Sequence, residues 1–409
     1  MSHVERIARQ TAFLTVAQFT GLGISLLGTI LVARALGPEG RAVYAWLITL
    51  VGIAIQIALI APPVVVRSVA LTNPERLPAT LVCLSLAGSI LTLPLAAFVI
   101  MDEHIGREAR PFLLLAWLSV PITATMLSVT TLLQIEARVL PVLAVHVWPR
   151  IIQVGLLLGY SLHGRLDLGA AIWIFVGTAG LELLLAIACL APKIESFRPS
   201  LDLVLRIVAL LGAGWIASLA VFALPRIGLL VLGSDAPLEA TGLYSVALTL
   251  QEAALVGPAA FGGVLITHVG RHGWFGRSMQ VRGGGSVLAF SVVTCGIAAA
   301  IAPDFIKLAF GPSFAPAAGA FRILLVSVVL ATCYQMLQPI LFRRGHPVAI
   351  AAPSLAACAV ALAVALVAVP FFGVSGAILS NLAGFATLVV LGLVFALRRR
   401  RRPASLVNT

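Results

Sequence analysis

The hydrophobic residues fall in long runs separated by short polar connections. The runs cover Thr11–Ala33, Ala42–Val66, Pro78–Met101, Pro111–Leu133, Leu140–Leu162, Leu168–Ala191, Leu203–Leu232, Thr241–Val269, Ser286–Pro303, Ala317–Phe342, Val348–Pro370 and Val374–Leu397. Crossing a bilayer as a helix takes about 20 mostly apolar residues, so each run reads as one transmembrane span. The first run follows Arg6 and Arg9, and Ala33-Arg34-Ala35 mimics a small-residue cleavage site. The run is nevertheless longer than a signal-peptide core of about 7–15 residues, which predicts an uncleaved first span. Prolines interrupt many spans, among them Pro62, Pro63, Pro94, Pro121, Pro141, Pro149, Pro225, Pro258, Pro339 and Pro353. Each removes a backbone hydrogen bond and predicts a bend.

Composition agrees. Of 409 residues, 60% are hydrophobic and only 10% charged, against roughly 45–50% and 25% in a soluble domain. A disordered, collagen-like or disulfide-framework chain is excluded on the same figures, and no separate globular domain fits between the spans. Cys83, Cys189, Cys295, Cys333 and Cys358 all lie in apolar runs without metal-ligand spacing, so they read as packing residues.

The formal charge is +12. In a soluble protein that would suggest nucleic acid; in a chain of spans it sets topology, and no nucleic-acid partner is expected. With the N-terminus in the cytoplasm, 18 basic residues fall in cytoplasmic segments and six (Arg34, Arg41, Arg107, Arg110, Arg165, Lys307) in outer ones. This bias places both termini in the cytoplasm, as expected of a multi-pass protein of the bacterial inner membrane. Arg398 to Arg402 form a basic anchor that also meets anionic membrane lipids.

A repeat divides the chain. Pro38-Glu39-Gly40-Arg41-Ala42-Val43-Tyr44-Ala45 follows span one, and Leu238-Glu239-Ala240-Thr241-Gly242-Leu243-Tyr244-Ser245 follows span seven. Glu39 and Tyr44 map onto Glu239 and Tyr244 at an offset of 200 residues, which is six spans. The predicted fold class is therefore an all-α polytopic membrane protein of about 12 helices in two pseudo-symmetric six-helix halves. The halves run over residues 1–197 and 198–397, with a basic tail at 398–409.

Catalytic motifs are missing from the sequence. There is no Gly-x4-Gly-Lys-[Ser/Thr], no His-Glu-x-x-His and no Gly-x-Ser-x-Gly, so an ATP-driven pump or a hydrolase is not the reading, and no cofactor or metal is implied. Arg282-Gly283-Gly284-Gly285 lacks a phosphate-loop lysine and is expected as a flexible loop.

Charges within spans carry the information about a site. An arginine at the bilayer centre costs about 2.5 kcal/mol or more, so it must face a partner or water. Arg150 lies near the middle of span five, Glu252 near the middle of span eight, and Glu182 in the inner half of span six. Arg226 and Arg322 lie about 9 Å inside the outer ends of their spans at 1.5 Å per residue. Arg34 closes span one. These residues predict a cationic central cavity for an anionic substrate, lined by Arg150, Arg226, Arg322 and Arg34, with Glu252 and Glu182 as ion-coupling candidates for a proton or sodium ion. The structural alternative is snorkelling of Arg226 and Arg322 and pairing of Arg150 with Glu182 or Glu252. Gln18, Gln56, Gln335, Gln338 and Asn381 are expected chiefly to bridge helices.

Several of these segments resemble the polysaccharide-biosynthesis (Wzx-type, O-antigen) flippases of the multidrug/oligosaccharidyl-lipid/polysaccharide exporter superfamily. Val32 to Tyr44 resembles the family's N-terminal signature. Gly242-Leu243-Tyr244-Ser245-Val246-Ala247 followed by Glu252 resembles the segment after span seven, and Phe310-Gly311-Pro312-Ser313-Phe314 with Ala317, Ala318 and Arg322 the span nine-to-ten connection. Phe372-Gly373-Val374-Ser375-Gly376-Ala377 resembles the start of the last span. The resemblance implies twelve helices and outward translocation of a lipid-linked oligosaccharide, carried on polyprenyl pyrophosphate, with glycan-assembly proteins as further partners. One departure stands out: members often carry Arg-Ile-Asp in span seven, where this chain has Arg226-Ile227-Gly228. Lipid II flippases of the same superfamily are usually longer, which argues against that branch. Two rival readings are a drug or cation antiporter of the superfamily, which would want carboxylates facing its cargo, and a membrane glycan polymerase or ligase, which would need a larger outer loop than the stretch around Asp102 to Arg110.

Overall fold

The computed structural model describes residues 3–60, 66, 76–101, 103–135, 139–190, 198–272, 277–343 and 347–397. Every regular element among them is helical: α1 (His3–Ala58), α2 (Leu77–Ile90), α3 (Leu93–Met101), α4 (Ile105–Ile135), α5 (Val139–Leu162), α6 (Leu168–Leu190), α7 (Leu201–Ala223), α8 (Ile227–Asp235), α9 (Leu238–His272), α10 (Arg277–Phe310), α11 (Ala317–Arg343), α12 (Pro347–Phe372) and α13 (Val374–Leu397), with 3-10 turns at Leu224–Arg226 and Pro312–Phe314. Ten helical segments among the described residues are long and apolar enough to cross a membrane. One of them, Gly23–Ala58, holds two spans, and α9 carries the predicted eighth span. The chain is a multi-pass bundle of twelve spans in two halves. The basic tail with Arg398 to Arg402, and Lys193 and Glu195 between the halves, lie outside the described residues.

The spans break where sequence chemistry requires. Within α1 the helix turns at Gly37 (φ 66°, ψ −177°), immediately before Pro38. Proline has no N–H to give to the preceding turn, and the positive φ is one that glycine adopts without strain. The polar connection expected after span one shrinks to this single break. Arg41 therefore stands in the first turn of the second span and is buried at 5% exposure, not in an outer loop.

Span three is two helices, α2 and α3, separated at Leu91 and Thr92. The Thr92 hydroxyl donates to Ser89 O (2.6 Å) and accepts from Trp117 Nε1 (3.1 Å). Span seven breaks from helical geometry at Gly212 (φ 32°, ψ −144°) and passes at Pro225 through the 3-10 turn that joins α7 to α8. Asn381 Nδ2 donates to Pro225 O (3.4 Å), and the amides of Asn381 and Gln251 bond each other at 3.2 and 3.4 Å. Asn381 thus bridges helices and satisfies a carbonyl within the 3-10 turn. Gln18 lies where side chains are not described. The glycine run at 283–285, expected as a loop, is helical within α10. Its small residues let a neighbour approach, and the Gly284 position faces the Met336 side chain on α11.

Each half has its own core. Trp46, Leu47, Leu50 and Val51 pack with Leu113, Val120, Ile172 and Val176 in the first half. Tyr244, Leu248, Phe310, Phe314, Phe321, Leu324 and Ile378 pack in the second, and Ala33 and Ala45 of α1 join that second cluster. Buried hydroxyl pairs recur at matching places: Ser85 with Ser128 at 2.8 Å between α2 and α4, and Ser291 with Thr332 at 3.1 Å between α10 and α11. The outer surface is apolar, with Leu114, Met101, Trp173, Leu308, Leu366 and Phe371 exposed, as a lipid-facing surface requires.

The halves are joined at the end of the bundle that carries Gly37. Gly242 of α9 sits so close to Pro38 that an added Cβ would meet the proline carbonyl at 1.9 Å. Trp46 Nε1 donates to Leu230 O (3.1 Å), and His104 Nε2 bonds Ala236 O (2.9 Å). Arg34 donates from Nε to Ala309 O (2.6 Å) and from Nη2 to Leu308 O, so its charge meets the C-terminal carbonyls of α10.

Candidate functional site

A cavity of about 340 Å³ lies between the halves. Its walls are helical stripes. From α1 come Ser25, Gly28, Thr29 and Val32 before the break, and Arg41, Tyr44, Ala45, Ile48, Thr49 and Gly52 after it. From α9 come Ser245, Leu248, Thr249 and Glu252. Spacings of three and four residues place each set on one helix face. The stripe Ala45, Ile48, Thr49, Gly52 is matched by Ser245, Leu248, Thr249, Glu252 at the offset of 200 residues, so the cavity sits on the pseudo-symmetry of the fold. Span seven contributes Phe222, Arg226 and Leu229, α5 contributes Arg150, Gln153 and Leu157, and α6 contributes Phe175.

Three arginines and one carboxylate carry the charge. Arg226 Nη2 lies 2.8 Å from Glu252 Oε1, with side-chain exposures of 18% and 34%. Its guanidinium carbon sits 3.8 Å from the centroid of the Phe222 ring, and Nη1 donates to Phe222 O at 2.6 Å. Arg226 is thus held by stacking, by a carbonyl one turn earlier and by an ion pair. Arg150 donates through Nη1 to Ser25 Oγ, and Ser25 donates onward to Gly21 O (2.8 Å). Arg150 Nε lies 3.9 Å from Glu182 Oε1, a longer contact.

Arg41 differs from both. Its Nη2 donates to Thr249 Oγ1 across the halves (3.1 Å), and its guanidinium lies 5.6 Å from the centroid of the Tyr44 ring. Its Nε is buried with no hydrogen-bond partner. Among the described residues, no carboxylate comes within ion-pair distance of Arg41. A buried donor is ordinarily paired.

Of the six residues selected from sequence, Arg150, Arg226 and Glu252 meet at this cavity. Glu182 stands behind Arg150 and is not in the lining. Arg34 is engaged by the end of α10, and Arg322 is exposed, donating through Nε to Ala299 O at 2.8 Å; neither lines the cavity. Arg41 was the residue that sequence reading missed. The signal lay in its register, since Arg41, Tyr44, Ala45, Ile48, Thr49 and Gly52 form one helical stripe once Pro38 is taken as the first residue of a span. Among the described residues there is no group of three metal-binding side chains.

No family model and no curated protein matches the sequence. Solved structures do match over nearly the whole chain. A eukaryotic MATE transporter, AtDTX14, superposes with a TM-score of 0.70 at 15% identity, covering 97% of this chain and 96% of that one. An outward-facing multidrug resistance MATE family transporter of the MOP superfamily gives 0.65 at 14% identity, with 95% and 94% covered. Lipid II flippase MurJ in an inward closed conformation gives 0.71 at 11% identity, with 94% and 86% covered. The fold is shared with MATE transporters and with a lipid II flippase. At these identities the likeness establishes the architecture, and cargo must be argued from the cavity itself.

Proposed function

We propose that the chain is an alternating-access transporter of the inner membrane. It moves a polyprenyl-pyrophosphate-linked oligosaccharide from the inner to the outer leaflet, without catalysis and without a cofactor. The observation that carries this reading is the excess of cations over anions at a cavity between two halves: Arg41, Arg150 and Arg226 against Glu252. A guanidinium presents a planar fork that suits phosphate oxygens bidentately. The polar head of such a cargo cannot cross hydrocarbon alone, whereas its prenyl tail stays in lipid. With both termini in the cytoplasm, outward movement of an anion is favoured by an inside-negative potential, about 2.3 kcal/mol per charge per 100 mV.

A drug or cation antiporter is the second reading. Its support is Glu252, which reaches the cavity with a third of its side chain exposed, and the shared fold with MATE transporters. The pairing of that carboxylate with Arg226 weighs against it, because a cationic cargo would have to compete with a fixed guanidinium at 2.8 Å. Transport by the purified chain in proteoliposomes separates the two. Movement of a lipid-linked oligosaccharide, inhibited by soluble pyrophosphate, is the expected result. Movement of a cationic dye without response to pyrophosphate would overturn the flippase reading and leave the antiporter.

A further inference from the structure

A cationic cavity within a membrane-spanning bundle faces a problem of selection. Any bilayer with anionic phospholipids supplies an excess of singly charged phosphodiester headgroups, and three arginines would attract them as readily as a rarer cargo. We infer that Glu252 is a built-in competitor that keeps such singly charged lipids out of the cavity; this rests on the flippase reading of the same site. The geometry is specific. Glu252 occupies the face of Arg226 that a phosphate would take, at 2.8 Å. Arg226 is held toward Glu252, because Phe222 supports its flat face and the Phe222 carbonyl accepts from Nη1.

Displacing this carboxylate with a phosphodiester exchanges one negative charge for another. The newcomer gains no net attraction and must still be desolvated, while the released carboxylate stays tethered beside its former partner. A pyrophosphate carries at least two charges, two as the diester of the cargo and about two to three as free polyprenyl pyrophosphate. One replaces Glu252 at Arg226, and another reaches a second guanidinium: Arg41, whose Nε has no partner, or Arg150, whose contact with Glu182 is a loose 3.9 Å. Discrimination thus arises from a penalty imposed on the wrong ligand. The symmetry-related position on α1 is Gly52, so only one of the two equivalent stripes carries the competitor.

The test uses the purified full chain in proteoliposomes with fluorescent phosphatidylglycerol, fluorescent phosphatidylcholine and unlabelled polyprenyl pyrophosphate as probes. Wild type is expected to move phosphatidylglycerol no faster than protein-free vesicles. Glu252→Gln keeps the shape and removes the charge, and is expected to move it at least about tenfold faster. Polyprenyl pyrophosphate should suppress that gain, and phosphatidylcholine should be unaffected. Glu252→Asp keeps the charge on a shorter side chain and should move phosphatidylglycerol less than Glu252→Gln does, and equal melting temperatures of the two variants control for a folding defect. The inference is overturned if wild type already moves phosphatidylglycerol, if Glu252→Gln does not, or if Glu252→Gln moves phosphatidylcholine equally. Failure of the flippase reading looks different: polyprenyl pyrophosphate would neither bind wild type nor suppress the variant.

Discussion

Gly52 and Glu252 occupy equivalent positions in the two halves, 200 residues apart, and both line the cavity. The absence of a side chain at one and the carboxylate at the other make a symmetric scaffold electrically lopsided. The space beside Gly52 is used by the second half: a Cβ there would lie 3.2 Å from Cζ of Phe222, the ring on which Arg226 rests.

This packing predicts a graded series at Gly52. Gly52→Ala needs the ring to yield by a few tenths of an ångström, and should reduce transport only several-fold. Gly52→Leu should displace Phe222, unseat Arg226 and abolish transport while the chain still inserts. Transport rates alongside thermal unfolding of the detergent-solubilised variants check this. Equal transport by Gly52→Leu and wild type would mean that Phe222 does not position Arg226.

Arg41 should matter as much as any residue in the cavity. Arg41→Ala removes a buried cation and its bond to Thr249, and should lower affinity for polyprenyl pyrophosphate by about tenfold or more, the range of a lost charged hydrogen bond. Arg41→Lys should recover only part, because a point charge lacks the planar fork. Binding measured by competition in nanodiscs gives the comparison. An unchanged affinity in Arg41→Ala would make Arg41 a purely structural residue.

Gly242 tests the seal between the halves. With Pro38 O at 1.9 Å from a would-be Cβ, Gly242→Ala must push α9 away from α1. Overpacking of this kind costs about 1–3 kcal/mol, so the variant should melt several degrees lower in detergent. A cysteine placed at Thr49 in a cysteine-free background should also label faster from the outside, where the Gly37 end is predicted to lie. Unchanged melting and labelling would show that the halves do not depend on this contact.

Much of the architecture was legible because membrane solvation makes span pattern nearly a matter of counting apolar residues. The apolar runs follow from it, and the repeat around Tyr44 and Tyr244 marks the two halves; the break at Gly212 in span seven is not read from the sequence, where Pro225 is the expected bend. The site was less legible for physical reasons. Depth along a helix can be read from sequence, and it picks out Arg150, Arg226 and Glu252, all three of which line the cavity. Azimuth cannot be read without knowing which neighbour packs where, and so Arg322, at a depth similar to Arg226, turns outward to Ala299 O. Arg41 was hidden differently. A polar cluster between two apolar runs reads as a loop, yet a glycine–proline break needs no loop, and the cluster became the first turn of a helix.

That difference between depth and azimuth supplies the last prediction. Arg150 and Arg322 are both cavity candidates by sequence, and only Arg150 lines the cavity, held by Ser25 and near Glu182. Arg150→Ala should abolish complementation of a flippase-deficient strain at near-normal protein level, with Arg150→Lys restoring part of it. Arg322→Ala loses one exposed bond to a carbonyl and should complement fully, because an exposed side chain away from the site contributes within about 0.5 kcal/mol. Arg34→Ala should fall between them. It leaves the cavity charge intact but frees the carbonyls of Leu308 and Ala309 at the joined end of the halves, so transport should persist while thermal stability drops. Complementation, protein level and melting temperature measured together for the three alanine variants distinguish these outcomes. A null phenotype for Arg322→Ala with normal stability would place cargo along the outer face of α11 and shift the site away from the cavity.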